Sequence, residues 1–394
     1  VRRGVFTEDH EVFRGIVRRF LAEEVVPAHP EWERAGHPPR EFFLRLGELG
    51  VFGIEAPEEF GGAGIASYKY HAVLAEETAR AGVSLGSSVV HAELILPYLL
   101  RYADEEQRRR WLPGFVSGRL MTAIAMTEPG TGSDLAGIRT RAELSADGGH
   151  YLLNGAKTFI TGGLVADRVL VVCRTSPAPS GDRRAGLSIL VVDTSSPGFS
   201  VGRKLEKIGL RASDTVELSF TDVRVPAGDL LGRESEAFSY LSENLPRERL
   251  SIAVSSHAQA AAALRFTVEY VRDRTVFSQR VSDFQNTRFV LADCASDVAA
   301  LEAVADRALE AYDAGELTAA EAAGAKLFCT ETAARVIDRC LQLHGGYGYM
   351  REYPIARLYA DNRVHRIYGG TSEIMRTIIA KSLDLRPGPA AAGR

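Results

Sequence analysis

The chain has no apolar run near the roughly 20 residues that a membrane-spanning helix needs, so no lipid-spanning part is expected. Its opening residues, VRRGVFTEDHEVF, contain no apolar stretch of the signal-peptide kind. Cysteine is scarce and scattered: Cys173, Cys294, Cys329 and Cys340 form no CxxC or zinc spacing. That excludes a disulfide framework and suits small buried side chains in a reducing, cytoplasmic setting. A basic excess is also missing. With 47 Lys and Arg against 51 Asp and Glu, the net charge is −4, which argues against a protein whose main partner is nucleic acid. Lysine occurs only at Lys69, Lys157, Lys204, Lys207, Lys326 and Lys381. The predominance of arginine reads as coding bias. There is no internal repeat.

What is present suits two or three packed regions: 394 residues, of which 45% are hydrophobic and 25% charged. Residues 1–120 read as helices. Val12, Phe13, Ile16, Val17, Phe20 and Leu21 recur at helical spacing, with Arg14, Arg18, Arg19, Glu23 and Glu24 on the other face. Thr7-Glu8-Asp9 starts that helix, and Pro27 and Pro30 are expected to end it. Helices follow over 67–80, 91–102 and 105–115. Residues 121–232 read as β-structure: Asp147-Gly148-Gly149 joins two strands, 169–173 and 187–192 are buried strands, and Val216, Leu218 and Phe220 alternate with polar residues until Pro226. Residues 233–394 return to long helices over 251–272, 284–312, 318–343 and 371–383, with a disordered tail over 386–394. The class is α+β and mainly α.

Four constellations stand out. Ala125 to Gly137, AMTEPGTGSDLAG, is a turn-rich loop with exposed amides and short donors. It fails a dinucleotide fingerprint because Leu135 stands at the third glycine. Alone, a plain surface turn is the better reading. Lys157 to Gly163, KTFITGG, places an aromatic two residues before a hydroxyl, suited to stacking on a ring and bonding its edge, or to a core Phe and a turn Thr. In Gln342 to Tyr349, QLHGGYGY, the glycines end a helix and permit a close backbone approach. His344 there reads as structural, since no second metal-spaced residue supports it. Arg366 to Ile374, RIYGGTSEI, frees amides at a helix N-terminus for a diphosphate or an oxyanion, or simply caps the last helix.

In this order, from about Phe6 to Leu383, the motifs resemble the acyl-CoA dehydrogenase family, and VRRFLAEEVVPAHPEWERAG and KLFCTETAARVIDRCLQLHGGYGYM are similar to its long-chain branch. The resemblance implies an N-terminal α-helical domain (1–120), a middle β-barrel or sandwich domain (121–232) and a C-terminal four-helix bundle (233–394). It implies a non-covalent FAD between them and usually a homotetramer. Met126, Thr127, Gly132 and Ser133 then line the flavin, and Phe159 and Thr161 take its stacking and bonding positions. Arg274, Phe277 and Gln285 reach the FAD of a neighbouring subunit, with Ser278 where the family commonly has Gly. Gln342, Gly345, Gly346, Thr371 and Glu373 complete the FAD contacts. Fatty acyl-CoA is the implied substrate, with acyl-carrier protein as the alternative carrier and an oxidase or monooxygenase as the alternative chemistry. Electron-transfer flavoprotein is the implied acceptor.

The reaction removes an α-proton and passes a hydride from the β carbon to flavin N5, so it needs a carboxylate base and donors to the thioester oxygen. Many family members place the base just before the Gly-Thr of the fourth motif. Here that position is Gly369. A subset, including the long-chain and isovaleryl types, carries it on a helix, and the matching residue is Glu248 in LPRERL. Pro246 would start or kink that helix. Ser133, Arg249, Gly369 and Gly370 are the substrate-side candidates, with the Gly369 amide on the thioester oxygen. A surface Glu248 paired with Arg247 or Arg249 is the plain alternative.

Overall fold

The computed structural model describes residues 3–178 and 182–385. The tail from 386, expected to be disordered, lies outside them. The chain begins with α1 (Glu8–Phe20), α2 (Val26–Ala35), α3 (Arg40–Glu48), α4 (Lys69–Ala81), α5 (Leu96–Tyr102) and α6 (Glu105–Val116). Strands β1 (Thr122–Ala125), β2 (Arg141–Leu144), β3 (His150–Thr161), β4 (Arg168–Arg174), β5 (Leu187–Asp193), β6 (Phe199–Lys204), β7 (Thr215–Pro226) and β8 (Leu230–Leu231) follow. The remainder is α7 (Ala237–Asp273), the short pair β9 (Thr275–Val276) and β10 (Gln279–Arg280), then α8 (Gln285–Asp313), α9 (Ala319–Leu343), α10 (Pro354–Asn362) and α11 (Ser372–Ser382).

One expectation about proline fails, and another is narrowed. Pro27 and Pro30 do not end the first helix. A π-helical turn, Leu21–Val25, carries the chain into α2, where Pro27 occupies the first turn and Pro30 the interior. A first-turn proline gives up a donor that has no intrahelical partner, so the helix tolerates it. Termination falls to Gly36, left-handed at φ 85°, whose N–H donates to the Trp32 carbonyl. Pro246, read as starting or kinking a helix, does not start one; it lies inside the 37-residue α7.

The described chain forms two compact units. One comprises Phe20–Ser67 and Val83–Asn244. Its mixed eight-stranded sheet runs β6-β7-β3-β2-β4-β5-β8, with β1 parallel to β4. The two-residue period of β4 serves two cores. Leu170 and Val172 pack with Leu99, Trp111 and Phe115 of α5 and α6. Val169, Val171 and Cys173 join Leu190, Val216 and Leu218 on the other side. The Asp147-Gly148-Gly149 turn joins β2 to antiparallel β3 as read from sequence, with Gly148 at φ 70°.

The other unit comprises residues up to Arg19, Tyr68–Gly82 and the chain from Leu245 onward. Alanines of α7 (Ala253, Ala260 and Ala263) are fully buried among Cys294, Leu301, Ala333 and Val336 of α8 and α9. Their small size lets these long helices approach closely. Helix α9 opens on a capping box, Thr318 with Glu321. Arg14 and Arg18 of α1 meet Glu77 of α4 at 3.2 and 2.8 Å.

Candidate active site

In the sheet unit, two of the sequence motifs meet. Residues Lys157 and Ile160 of β3 pair with Leu218 and Val216, so Thr158 and Phe159 form a bulge opposite one residue of β7. Phe159 is left-handed at φ 60°, a strained conformation for a non-glycine, and its ring is 66% exposed. The bulge delivers Thr158 N–H to the Thr127 carbonyl at 2.9 Å. Lys157, turned inward, donates to the Met126 carbonyl and to Glu128 Oε1, both at 2.9 Å. Glu128 also accepts from the amides of Arg139 and Thr140 at 2.8 and 2.9 Å. Burial disfavours its charge, but Lys157 and these donors outweigh that and hold the carboxyl below its usual value. The loop is thereby fixed from below, with Met126, Thr127 and Thr161 half-buried and Gly132 and Ser133 exposed. Sequence reasoning singled out the loop and missed its anchor. A lysine within a strand-like run was the available signal, because a charged residue that a strand buries needs a partner.

In the helical unit, Arg274, Gly345 and Gly346 share a cleft of about 500 Å³ with Tyr270, Tyr347 and Met350. The Arg274 guanidinium lies 5.4 Å from the Tyr347 ring centre. Gln285 and Gln342 are exposed but do not line that cleft. Phe277, 90% exposed, and Ser278 form the tip joining β9 and β10, at φ 49° and 62°. Thr371 caps α11 by accepting from Ile374 N–H at 3.4 Å, and Glu373 stands exposed in the first turn. His344 is structural: it stacks on Tyr270 at 4.3 Å and its Nδ1 bonds the Cys340 carbonyl. No metal-holding group of His, Cys, Asp or Glu exists among the described residues.

The proposed base region is compact. Glu248 is 7% exposed, so it does not lie on the surface. Arg247 donates from its Nη1 to the Tyr312 hydroxyl at 3.1 Å. Ile252 follows Glu248 by one helical turn on the same face of α7. Its Cδ1 lies against Gly369, only 2.5 Å from where a β-carbon would stand. Gly369 and Gly370 are left-handed at φ 63° and 95°, and Lys326 of α9 donates to the Gly370 carbonyl at 2.6 Å. Burial and the like charge of Arg249 push the Lys326 ammonium down to about 8. Arg249 is 5% exposed and its Nε has no hydrogen-bond partner among the described residues. Burial drives its own pKa down, opposed by the charge of Glu248. Lys326 was not foreseen, although helical spacing with Ala322, Cys329 and Ala333 puts it on the buried face.

Each unit, taken separately, fits part of FAD. Around Gly130 and Gly132, and again at Gly345 and Gly346, a β-carbon would meet nothing within 4 Å. A backbone phosphate or a ring can therefore approach. Phe159 offers an exposed ring and Arg274 a cation. No helix among the described residues is long and apolar enough to cross a membrane.

Comparison with known proteins identifies the family. Models of the acyl-CoA dehydrogenase N-terminal, middle and C-terminal domains match residues 7–119, 123–223 and 238–383. The mitochondrial long-chain specific acyl-CoA dehydrogenase of Sus scrofa is 42% identical over 381 residues, 97% of this chain and 88% of that protein. The crystal structure of an acyl-CoA dehydrogenase from Geobacillus kaustophilus superposes with a TM-score of 0.94 at 45% identity, covering 98% of this chain and all of that one (100%). A glutaryl-CoA dehydrogenase from Mycobacterium smegmatis, solved in complex with FADH2, gives a TM-score of 0.88 at 28% identity over 98% and 96% of the two chains. The chain belongs to the acyl-CoA dehydrogenase family and is a FAD-dependent oxidoreductase acting on acyl-CoA.

Proposed function

We propose that the protein dehydrogenates a long-chain fatty acyl-CoA to its trans-2-enoyl thioester, with Glu248 as the base. The observation that carries this reading is the burial of Glu248 one helical turn from Ile252, which abuts Gly369. A carboxylate kept from bulk water is a stronger base when an acyl chain closes over it. The Gly369 N–H is the proposed donor to the thioester oxygen, where negative charge develops as the α-proton leaves. Arg249 adds a fixed positive charge beside the base. Ser133 serves substrate and cofactor together.

Met126, Thr127, Gly132, Ser133, Phe159 and Thr161 are the proposed flavin contacts of the sheet unit. Arg274, Phe277, Gln285, Gln342, Gly345, Gly346, Thr371 and Glu373 are those of the helical unit. When bound, FAD accepts the hydride that leaves the β carbon. Assembly as a homotetramer, reoxidation by electron-transfer flavoprotein and a cytoplasmic location belong to the same proposal.

The test is an anaerobic titration of the holoprotein with saturated acyl-CoAs of graded length, following the visible flavin band. Bleaching by long chains with an enoyl product supports the reading. No bleaching by any acyl-CoA overturns it in favour of a carrier-protein thioester or oxygen chemistry. Glu248→Gln should retain FAD and lose turnover by about 1,000-fold or more; normal turnover would remove Glu248 from the role.

A further inference from the structure

Two consecutive left-handed glycines make a turn whose amides can swing freely unless something outside the turn holds them. Here the fixation comes from α9. Lys326 bonds the Gly370 carbonyl at 2.6 Å. Five residues further along the same helix, Glu331 accepts from Ser372 Oγ at 2.6 Å and from Arg366 Nη1 at 3.2 Å. The segment from Arg366 to Ser372 is thus suspended from one helix at both ends, with Lys326 holding the glycines themselves.

Lys326 is a costly choice for a purely structural tie. It is 1% exposed, and Arg249 sets a like charge against it. The opposing charge that acts on it is Glu331, and the two form no ion pair among the described residues. His365, fully desolvated nearby, is kept neutral in part by the lysine's charge. The Gly370 carbonyl is its only hydrogen-bond partner among the described residues. An uncharged donor would make that bond with a far smaller desolvation cost.

We propose that Lys326 is a positioning residue for the dehydrogenation: through the Gly370 carbonyl it sets the Gly369–Gly370 turn so that the Gly369 N–H meets the thioester oxygen. The inference rests on the dehydrogenase reading above. A donor held in place before the reaction costs no reorganisation as the enolate forms, so its loss is felt in turnover more than in binding.

The test compares holoenzyme carrying Lys326→Met, which removes the donor, with Lys326→Gln, which keeps one. FAD content, kcat, KM and the ionisation of a bound 3-thia-acyl-CoA are measured. The α-proton of that ligand is acidic enough to be lost without turnover, and the anion is seen as a long-wavelength band against oxidised flavin. Lys326→Met should keep its FAD and its KM, lose kcat about 100-fold, and ionise the ligand only at a pH about one unit higher. Lys326→Gln should stay within about 10-fold of the parent kcat. A Lys326→Met enzyme with parental kcat and ligand ionisation, or a Gln variant no better than Met, overturns the proposal. If the Met variant does not fold with FAD, Ser372→Ala loosens the other tie and should lower kcat about 3- to 10-fold at constant KM; an unchanged kcat overturns it equally. Failure of the unmodified enzyme both to ionise the ligand and to be reduced by acyl-CoA would instead sink the dehydrogenase reading itself.

Discussion

Ile252 Cδ1 lies 2.5 Å from the point where a β-carbon on Gly369 would stand, and Gly369 has a backbone φ of 63°. The position that carries the base in many relatives of this family is therefore closed twice over here, by packing and by conformation. Gly369→Ala should destabilise the protein by roughly 1–3 kcal/mol in denaturant unfolding, from the left-handed backbone and the overpacking together. A Glu248→Gln/Gly369→Glu double variant should recover no turnover, and adding Ile252→Ala should relieve only the steric part. Recovery in the double variant would show that the turn yields more than its packing implies.

The buried pair Lys157–Glu128 makes a different prediction. Lys157→Met strands a buried carboxylate still bonded to two amides, at a cost of about 3–5 kcal/mol. Lys157→Met/Glu128→Gln should be the milder change, because it removes the stranded charge. Both should weaken FAD retention, measured by the dilution at which flavin fluorescence is released, since the anchor fixes Met126 and Thr127. A single variant no less stable than the double one would contradict the pairing.

Arg249 is buried with an unpartnered Nε, an arrangement that spends stability. Arg249→Met should leave the thermal midpoint unchanged or higher while lowering kcat/KM by about 10- to 100-fold. A lowered midpoint with unimpaired kcat/KM would mark Arg249 as structural.

Ser278 occupies a left-handed position, φ 62°, at the tip between β9 and β10. Glycine adopts that conformation without the Cβ penalty, so Ser278→Gly should stabilise the chain by about 0.5–1 kcal/mol in urea unfolding. The departure from the family pattern is therefore a strained turn. Unchanged or reduced stability would show that the Ser hydroxyl offsets the strain.

Buried histidines shape the acid response; burial also lowers His10 and His344, and the largest shifts fall on three others. Burial drives His91 and His365 down to about 3 and His257 to about 4. They are neutral in the folded protein but protonate near 6.5 when it unfolds. The unfolded chain binds more protons below that value, so stability is intact above about pH 6.5 and is lost as pH falls toward 3–4. With all three contributing, unfolding free energy near pH 5 should fall by about 4 kcal/mol per pH unit. Urea unfolding from pH 7 to 4.5 measures the slope, and His365→Gln should reduce it by about 1.4 kcal/mol per pH unit.

The order of the elements was legible because it rests on local periodicity. The continuous apolar run of β4, the alternation of β7, the Asp147-Gly148-Gly149 turn and the cap of the last helix at Thr371 are all written within a few residues. The four motifs were visible as loops and helix ends for the same reason. Pro27 misled because a π-helical turn ahead of it carries the chain on into α2, where a first-turn proline lacks only a donor that has no intrahelical partner.

The sequence by itself determined the succession of helical, β and helical segments, the placing of glycines where the backbone must turn, and the absence of a carboxylate at position 369. Only the tertiary structure decided that Glu248 is buried, that Ile252 closes the space beside Gly369, and that Lys157 and Lys326 hold the two loops from below. Those facts join residues 31 to 117 positions apart in the chain. A lysine's partner at such a distance is set by which helix or strand the fold brings alongside, and no short-range pattern encodes it.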